Sequence, residues 1–447
     1  MTRVDTLITG GHLLTMDENF GEFAHGAVAI LDGKIVECGD AADLAARYHA
    51  DQTVDAEGGI IMPGLVNGHC HAAMTLFRGY AENVTLDTFL EKTAYAEAKY
   101  VAPGTVYVGA AVACAEMALG GITSFVDMYW YPDETVRAAR ELHMSIVAGP
   151  VFVAFPGPDD LAEWPMRTAF SDGFAERHRD HAGVYPCLAP HACYTLDEEK
   201  LTELAAIAEA QDIPVQIHAS EAPSEMQLVR EGYGGATPIE VLDRTGLLHR
   251  DCQLAHAVHL SDSDIGLIKK AGASIVHNPQ SNVKLASGIA RICDLLEAGV
   301  PVGLGTDGPS SGNDLDMWKA MRLAANLQSV SRGEPGALSD RDVLAMATRI
   351  GAKAAGMGDH TGSLEPGKNA DVIVVSTKGL HMRPVFNPFA ALVYSAGRED
   401  IAHVFAGGEH IVKDRTLQWE GFDMVVSQFD AIASAIAKDE KVGQFGV

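Results

Sequence analysis

Between Ile61 and Met357 the chain repeats one pattern, a short apolar run of strand length followed by a longer stretch with apolar residues at helical spacing. The runs are Ile61-Met-Pro-Gly-Leu-Val, Ile122-Thr-Ser-Phe-Val, Ser145-Ile-Val-Ala, Tyr185-Pro-Cys-Leu-Ala, Pro214-Val-Gln-Ile, Gln253-Leu-Ala, Ala273-Ser-Ile-Val and Val302-Gly-Leu-Gly. The spacing predicts helices between them, for example over Leu196 to Gln211 and Leu315 to Leu327. Eight strands alternating with helices over about 300 residues form the pattern of an α/β fold, a (β/α)8 TIM barrel. A doubly wound open sheet is the alternative, but no Gly-rich phosphate fingerprint follows its first strand.

The two ends of the chain read differently. Leu7 to Thr15, Ala27 to Cys38 and Gln52 to Asp55 are short strands separated by Gly and Asp turns, with Asp32-Gly33 as a hairpin signal. Similar material returns at Ala370 to Val375 and Ala402 to Val412, and the Ala- and Ile-rich stretch from Gln428 to Lys438 reads as a closing helix. The expected division is therefore 1–60 and 358–447 as two parts of one small β-sandwich, the second carrying the helix, around a 61–357 barrel.

Polar residues stand where the apolar runs stop. Strand one ends in Asn67-Gly-His69-Cys-His71, strand four in His191, and strand five in His218-Ala-Ser-Glu221. Strand six ends in His256-Ala-Val-His259, strand seven in His277-Asn278, and strand eight in Thr306-Asp307-Gly308. In a barrel these ends share the C-terminal face, where active sites are built. His69 and His71 are two apart in extended chain, so both imidazoles point the same way. With His218 and Asp307 they make a nitrogen and oxygen set suited to zinc or ferrous iron. Asp307 lies buried at a strand end, where an unpaired charge is expensive and a cation is the natural partner. Glu221 reads as a proton shuttle beside the metal, with a helix-opening acid as its ordinary structural alternative.

Charge and cysteine usage narrow the function classes. Across 447 residues, 33 Lys plus Arg face 60 Asp plus Glu, a formal net charge of -27. That field repels polyanions, so neither nucleic acid nor an anionic membrane surface is an expected partner. The seven cysteines are scattered with no C-x-x-C pair, and no signal peptide opens the sequence, so a reduced, cytoplasmic protein is expected. The long apolar window from Val106 to Val126 contains Glu116 and is broken by Gly120-Gly121, so it reads as a buried helix entering a buried strand.

Several segments together resemble the metal-dependent amidohydrolase superfamily, in the branch of the triazine hydrolases and the methylthioadenosine/S-adenosylhomocysteine deaminases. They are Pro63 to Gly79, Pro190-His-Ala-Cys-Tyr, Ile217-His-Ala-Ser-Glu, His277-Asn-Pro-Gln-Ser-Asn-Val-Lys-Leu, Leu304-Gly-Thr-Asp-Gly and Gly362 to Val372. The resemblance implies one divalent metal ion, Zn2+ or Fe2+, on His69, His71, His218 and Asp307. Strand four lacks the Lys that bridges two metals in such proteins, which implies a mononuclear site. It further implies that Glu221 and His256 flank the reacting water, with Asp307 as proton acceptor, and that His191 faces the substrate.

The implied reaction is hydrolytic deamination of an aminated heterocycle, an adenine nucleoside or another purine- or pterin-like ring, with release of ammonia. Displacement at an s-triazine ring is the alternative chemistry, and a non-catalytic barrel acting as an assembly subunit is the alternative class. Phe89 and Glu97 match the aromatic residue and the ribose-gripping Glu of nucleoside deaminases; core packing and a solvated helix face are their plain readings. Trp130, His277 and Asn278 are candidate substrate contacts, each with rim packing as its alternative. Relatives active on S-adenosylhomocysteine carry an Arg after strand three, but the segment from Ala148 has none before Arg167, so a carboxylate-bearing substrate is not expected. The partner is a small heterocycle, and the resemblance implies a homo-oligomer.

Overall fold

The computed structural model describes residues 1–159 and 161–439. The N-terminal strands are β1 (Thr2–Leu14), β2 (Glu22–Leu31), β3 (Lys34–Asp40) and β4 (Tyr48–Asp55), longer than the sequence runs that signal them. Asp32 and Gly33 join β2 to β3 with φ of 50 and 74, the two positive values that a type I′ hairpin turn requires. β5 (Ile60–Pro63) then lies parallel to β1.

The middle of the chain supplies parallel strands. They are β6 (Leu65–Cys70), β7 (Ile122–Asp127), β8 (Ser145–Ala148), β9 (Val151–Phe152), β10 (Val184–Pro186) and β11 (Ala189–Pro190), then β12 (Val215–Ala219), β13 (Cys252–His256), β14 (Ser274–His277) and β15 (Val302–Leu304). Hydrogen bonding orders them β10-β8-β7-β6, β11-β9 and β12-β13-β14-β15. Parallel bridges from Leu188 to Val215 and from Ala192 to His218 connect the β10–β11 stretch to β12. Beyond β15 the chain returns to β6, where Asp307 N donates to His69 O at 3.0 Å. β6, β7, β8, β12, β13, β14 and β15 are buried at every residue, as strands covered on both faces must be.

Helices stand between the strands, and their starts follow capping chemistry. The expected Leu196 to Gln211 helix begins at Glu198, because the Asp197 carboxylate caps it by accepting from Lys200 N. The one expected from Leu315 runs Met317–Arg332, capped by Asp316 and closed by Gly333 in left-handed backbone. The Val106 to Val126 window is a helix, Pro103–Leu119, turning through Gly120-Gly121 into β7. Among the described residues no single helix is long and apolar enough to cross a membrane.

Both chain ends meet in one sheet. β16 (Val372–Val375) pairs with β5 and with β17 (Ile401–Ala406), followed by β18 (Glu409–Lys413) and β19 (Thr416–Leu417), completing nine strands. Alternation sorts the side chains: Ile61, Val372, Val374 and Phe405 pack with Ile8, Val28 and Ile30, while Ile60, Met62, Ile373 and Val375 join the main core. The terminal helix is Phe422–Ala437, starting earlier than the Gln428 expected, and residues 440–447 of the expected 358–447 part lie outside those described.

Candidate active site

The C-terminal ends of β6, β12, β13 and β15 converge on one point. His69 and His71 leave β6 on the same side, as their spacing requires. His71 Nδ1 sits 2.6 Å from Met128 O, which turns Nε2 inward to 3.2 Å from Asp307 Oδ1 and 3.4 Å from His218 Nε2. His218 Nδ1 is likewise 2.8 Å from a backbone carbonyl, that of His191. Such outer bonds hold Nδ1–H and leave Nε2 free as a ligand. His69 Nε2 lies 3.7 Å from Asp307 Oδ1, and neither nitrogen of this fully buried ring has a hydrogen-bond partner among the described residues. Asp307 Oδ2 accepts from Ser311 Oγ at 2.7 Å.

These atoms fit a cation. The ring nitrogens of His69, His71 and His218 lie within 4.8 Å of one another, as do ligand atoms of His69, His256 and Asp307. Burial and the neighbouring rings push His69 and His218 well below the usual histidine range. Burial opposes charge on His71 too, but its hydrogen bond to Asp307 and that carboxylate's charge outweigh it and raise the ring to about 9. The cluster thus demands one positive charge beside Asp307 and offers lone pairs around it.

Backbone strain accompanies this convergence. Ser220, His256 and Asp307 have φ of 55, 75 and 61, left-handed values unusual for residues with a side chain and characteristic of functional sites. Glu225 holds the first of these turns, its carboxylate accepting from Ser220 N at 2.9 Å and Glu221 N at 2.5 Å. Gly308 packs closely against the cluster, where a Cβ would lie 3.1 Å from Met74 Sδ and 3.2 Å from His71 Cδ2.

Above the cluster opens a cavity of about 440 Å³. His71, His218, Glu221, His256 and Asp307 form part of its lining, together with His191. Burial raises the Glu221 carboxyl to about 7, so it carries a proton near neutrality. Burial and His71 lower His191 to about 4, leaving it neutral. Phe89, Trp130 and Glu97 all reach the wall, where Trp130 Nε1 donates to Glu97 Oε2 at 3.1 Å.

His277 and Asn278 do not. Both are fully buried away from the lining, His277 without a hydrogen bond among the described residues and Asn278 packed so that a Cβ on Gly305 would fall 2.4 Å from its Oδ1. Their place at a strand end made them candidates, but the end of β14 points them into packing. Arg78 braces a loop, bonded to Glu116 and to Asn313 O. Arg167 is buried with both terminal nitrogens on Asp159 and one also on Val151 O. Sequence reading gave no role to Ser311 and Glu225, each four residues after a functional acid, or to Asn282, which stands in the His277 to Leu285 segment but 26 residues from the His256 it touches.

Comparison with known proteins agrees with this geometry. The amidohydrolase family model matches residues 60–411, and an imidazolonepropionase-like composite domain matches residues 26–50. The chain is 40% identical over 437 residues to a 5-methylthioadenosine/S-adenosylhomocysteine deaminase of Syntrophobacter fumaroxidans, covering 97% of this chain and 99% of that one. It is 39% identical to a 5'-deoxyadenosine deaminase of Methanosarcina mazei, with 92% and 93% covered. Among solved structures, a zinc-bound adenosine deaminase from Xanthomonas campestris superposes with a TM-score of 0.95 at 32% identity, covering 98% and 99%. A zinc-complexed atrazine chlorohydrolase from Arthrobacter aurescens gives 0.89 at 25% identity, covering 96% and 100%.

Proposed function

The chain belongs to the amidohydrolase family, and from that premise we propose that it hydrolyses the exocyclic C–N bond of an adenine nucleoside, releasing ammonia. The observation that carries this reading is the set His69, His71, His218 and Asp307 beside the buried carboxyl of Glu221, at the foot of an aromatic-walled cavity.

His69, His71, His218 and Asp307 would hold one divalent cation, zinc by analogy with the zinc-bound neighbours. When bound, such an ion supplies Lewis acidity that lowers the pKa of a water from about 16 to about 7. Asp307 takes the proton of the water that adds to the amine-bearing ring carbon. Glu221 gives its proton to the adjacent ring nitrogen, which makes that carbon electrophilic. His256 orients the water, Asp307 returns the proton to the departing amine, and the hydroxyl proton left on the adduct passes to Glu221 as the ring carbonyl forms, restoring the donor. His191 faces the purine, Phe89 and Trp130 flank it, and Glu97 accepts from ribose hydroxyls.

The same reading extends to the scaffold. The parallel strands from β6 to β15 close into a (β/α)8 barrel, supported by the Leu188 to Val215 bridge on one side and the Asp307 to His69 hydrogen bond on the other. The terminal sheet, with apolar clusters on both faces, folds over as the small sandwich, with boundaries near residues 60 and 357. The free cysteines suit a cytoplasmic protein.

Metal analysis followed by ammonia release from 5'-methylthioadenosine, 5'-deoxyadenosine, adenosine and melamine tests the proposal. About one zinc per chain and turnover of the nucleosides is the expected outcome. No bound metal after zinc loading, or melamine turned over in preference to every nucleoside, would overturn it.

A further inference from the structure

His256 closes β13 with its ring centroid 5.6 Å from that of His69 and 5.5 Å from that of His218, so it stands beside the proposed ligands. Its Nδ1 lies 2.8 Å from Oδ1 of Asn282, a residue 1% exposed in the short helix Pro279–Lys284. An amide oxygen only accepts, so the proton of this bond belongs to the ring nitrogen. Glu221 Oε1 is 3.8 Å from the same nitrogen, beyond hydrogen-bond distance, which leaves Asn282 as its partner. The Asn282 main chain is held in turn, its N–H donating to Asn278 O at 3.1 Å and its carbonyl accepting from Ser287 N at 2.8 Å, while the side-chain Nδ2 is buried with no hydrogen-bond partner among the described residues. A neutral imidazole holding its proton on Nδ1 keeps a lone pair on Nε2.

We propose that Asn282 is a positioning residue that locks His256 in the Nδ1–H tautomer, so that Nε2 meets the attacking water as an acceptor and not as a donor. This rests on the deaminase reading above. The assignment settles how the water is held: one O–H points to Asp307, which takes that proton, and the other is accepted by His256 Nε2. Both water hydrogens are then directed away from the substrate, and an oxygen lone pair is left to form the bond to carbon. The opposite tautomer would present N–H to that oxygen and compete for the lone pair.

The test is a long-range proton–nitrogen correlation spectrum of zinc-loaded protein labelled in its histidine rings, with His256 assigned from its loss in His256→Gln. The expected wild-type signal has a protonated Nδ1 and a bare Nε2. In Asn282→Leu the preference is lost and kcat falls about 10- to 100-fold, while KM stays within about threefold. Asn282→Asp, which keeps an oxygen acceptor, restores the tautomer and most of kcat. A protonated Nε2 in the wild type overturns the inference whatever the Asn282 variants do. So does Asn282→Leu with wild-type kcat, or Asn282→Asp no better than Asn282→Leu at equal thermal stability. If no nucleoside is deaminated yet Nδ1 carries the proton, the functional reading fails and the tautomer assignment stands.

Discussion

His71 has both ring nitrogens committed, Nδ1 to the Met128 carbonyl and Nε2 toward Asp307 and His218, and it is the ring that Asp307 keeps charged. A proton there occupies the role a divalent cation would take, so ligand and acid functions can be separated by substitution. Asp307→Asn removes a ligand and the proton acceptor together, and is expected to lower both metal content and turnover. Glu221→Gln removes only the donor, and should retain the metal while turnover drops by about 10²- to 10⁴-fold. Metal analysis and ammonia release on the two purified variants check this, with circular dichroism confirming the fold. Wild-type turnover in Glu221→Gln would remove it from the reaction. The spacing of His69 and His71 made them legible, because a period of two in extended chain fixes which side chains share a face. His277 and Asn278 carried the same signal of a polar strand end, yet both are packed away from the cavity. Strand-end position tells which face a residue occupies and leaves its depth undetermined.

Strands and helices are tied together at Asp371, just before β16. Its carboxylate accepts from Thr361 Oγ1 at 2.6 Å and from Gly407 N in the β17–β18 turn at 2.8 Å, and its carbonyl accepts from Gly64 N between β5 and β6 at 2.9 Å. Burial raises the carboxyl to about 6 despite those bonds. The folded pKa exceeds the unfolded value of about 3.9, so the folded state binds this proton more tightly. Its contribution is greatest below about pH 4, declines as pH rises through 6, and is then a penalty on the order of 2–3 kcal/mol. Asp371→Asn keeps an oxygen acceptor and removes the ionisation, so it should gain stability relative to wild type between pH 5 and pH 8. Thermal unfolding of both proteins at the two pH values checks this; a difference that does not change with pH counts against it. The re-entry that Asp371 anchors was foreshadowed by β-rich composition at both ends of the chain. Its register was not, since pairing of β5 with β16 joins residues some 300 positions apart, and one-residue shifts such as that at Val374–Val375 leave no mark in apolar periodicity.

Across the whole molecule the acid excess and the site follow different rules. The net charge of -27 is carried largely outside the cavity, whose acids, Glu97, Glu221 and Asp307, each have an assigned part. Among the described residues lining it there is no Lys or Arg. The buried guanidinium of Arg167, 5.7 Å from the ring centroid of Trp130 in the wall, is held by Asp159 and the Val151 carbonyl, so its charge is already spent on the protein's own carboxylate. Val151, Val153 and Phe155 form the corresponding part of the wall. A nucleoside with a methylthio or hydrogen 5'-substituent loses little hydration there. One ending in an amino-acid zwitterion would have to leave its carboxylate without a cationic partner, and an unpaired charge is costly in an apolar site. A loss of about 3 kcal/mol corresponds to roughly 100-fold in kcat/KM. 5'-Methylthioadenosine and 5'-deoxyadenosine are therefore expected to exceed S-adenosylhomocysteine by at least about 100-fold. Phe155, about half exposed at the cavity mouth, can accept a cation without burying it, so Phe155→Arg should raise S-adenosylhomocysteine turnover and leave that of 5'-methylthioadenosine nearly unchanged. Ammonia release from the three substrates by wild type and variant decides the matter: comparable wild-type rates on all three would mean that the carboxylate finds a partner the wall does not offer, and the charge argument would fall.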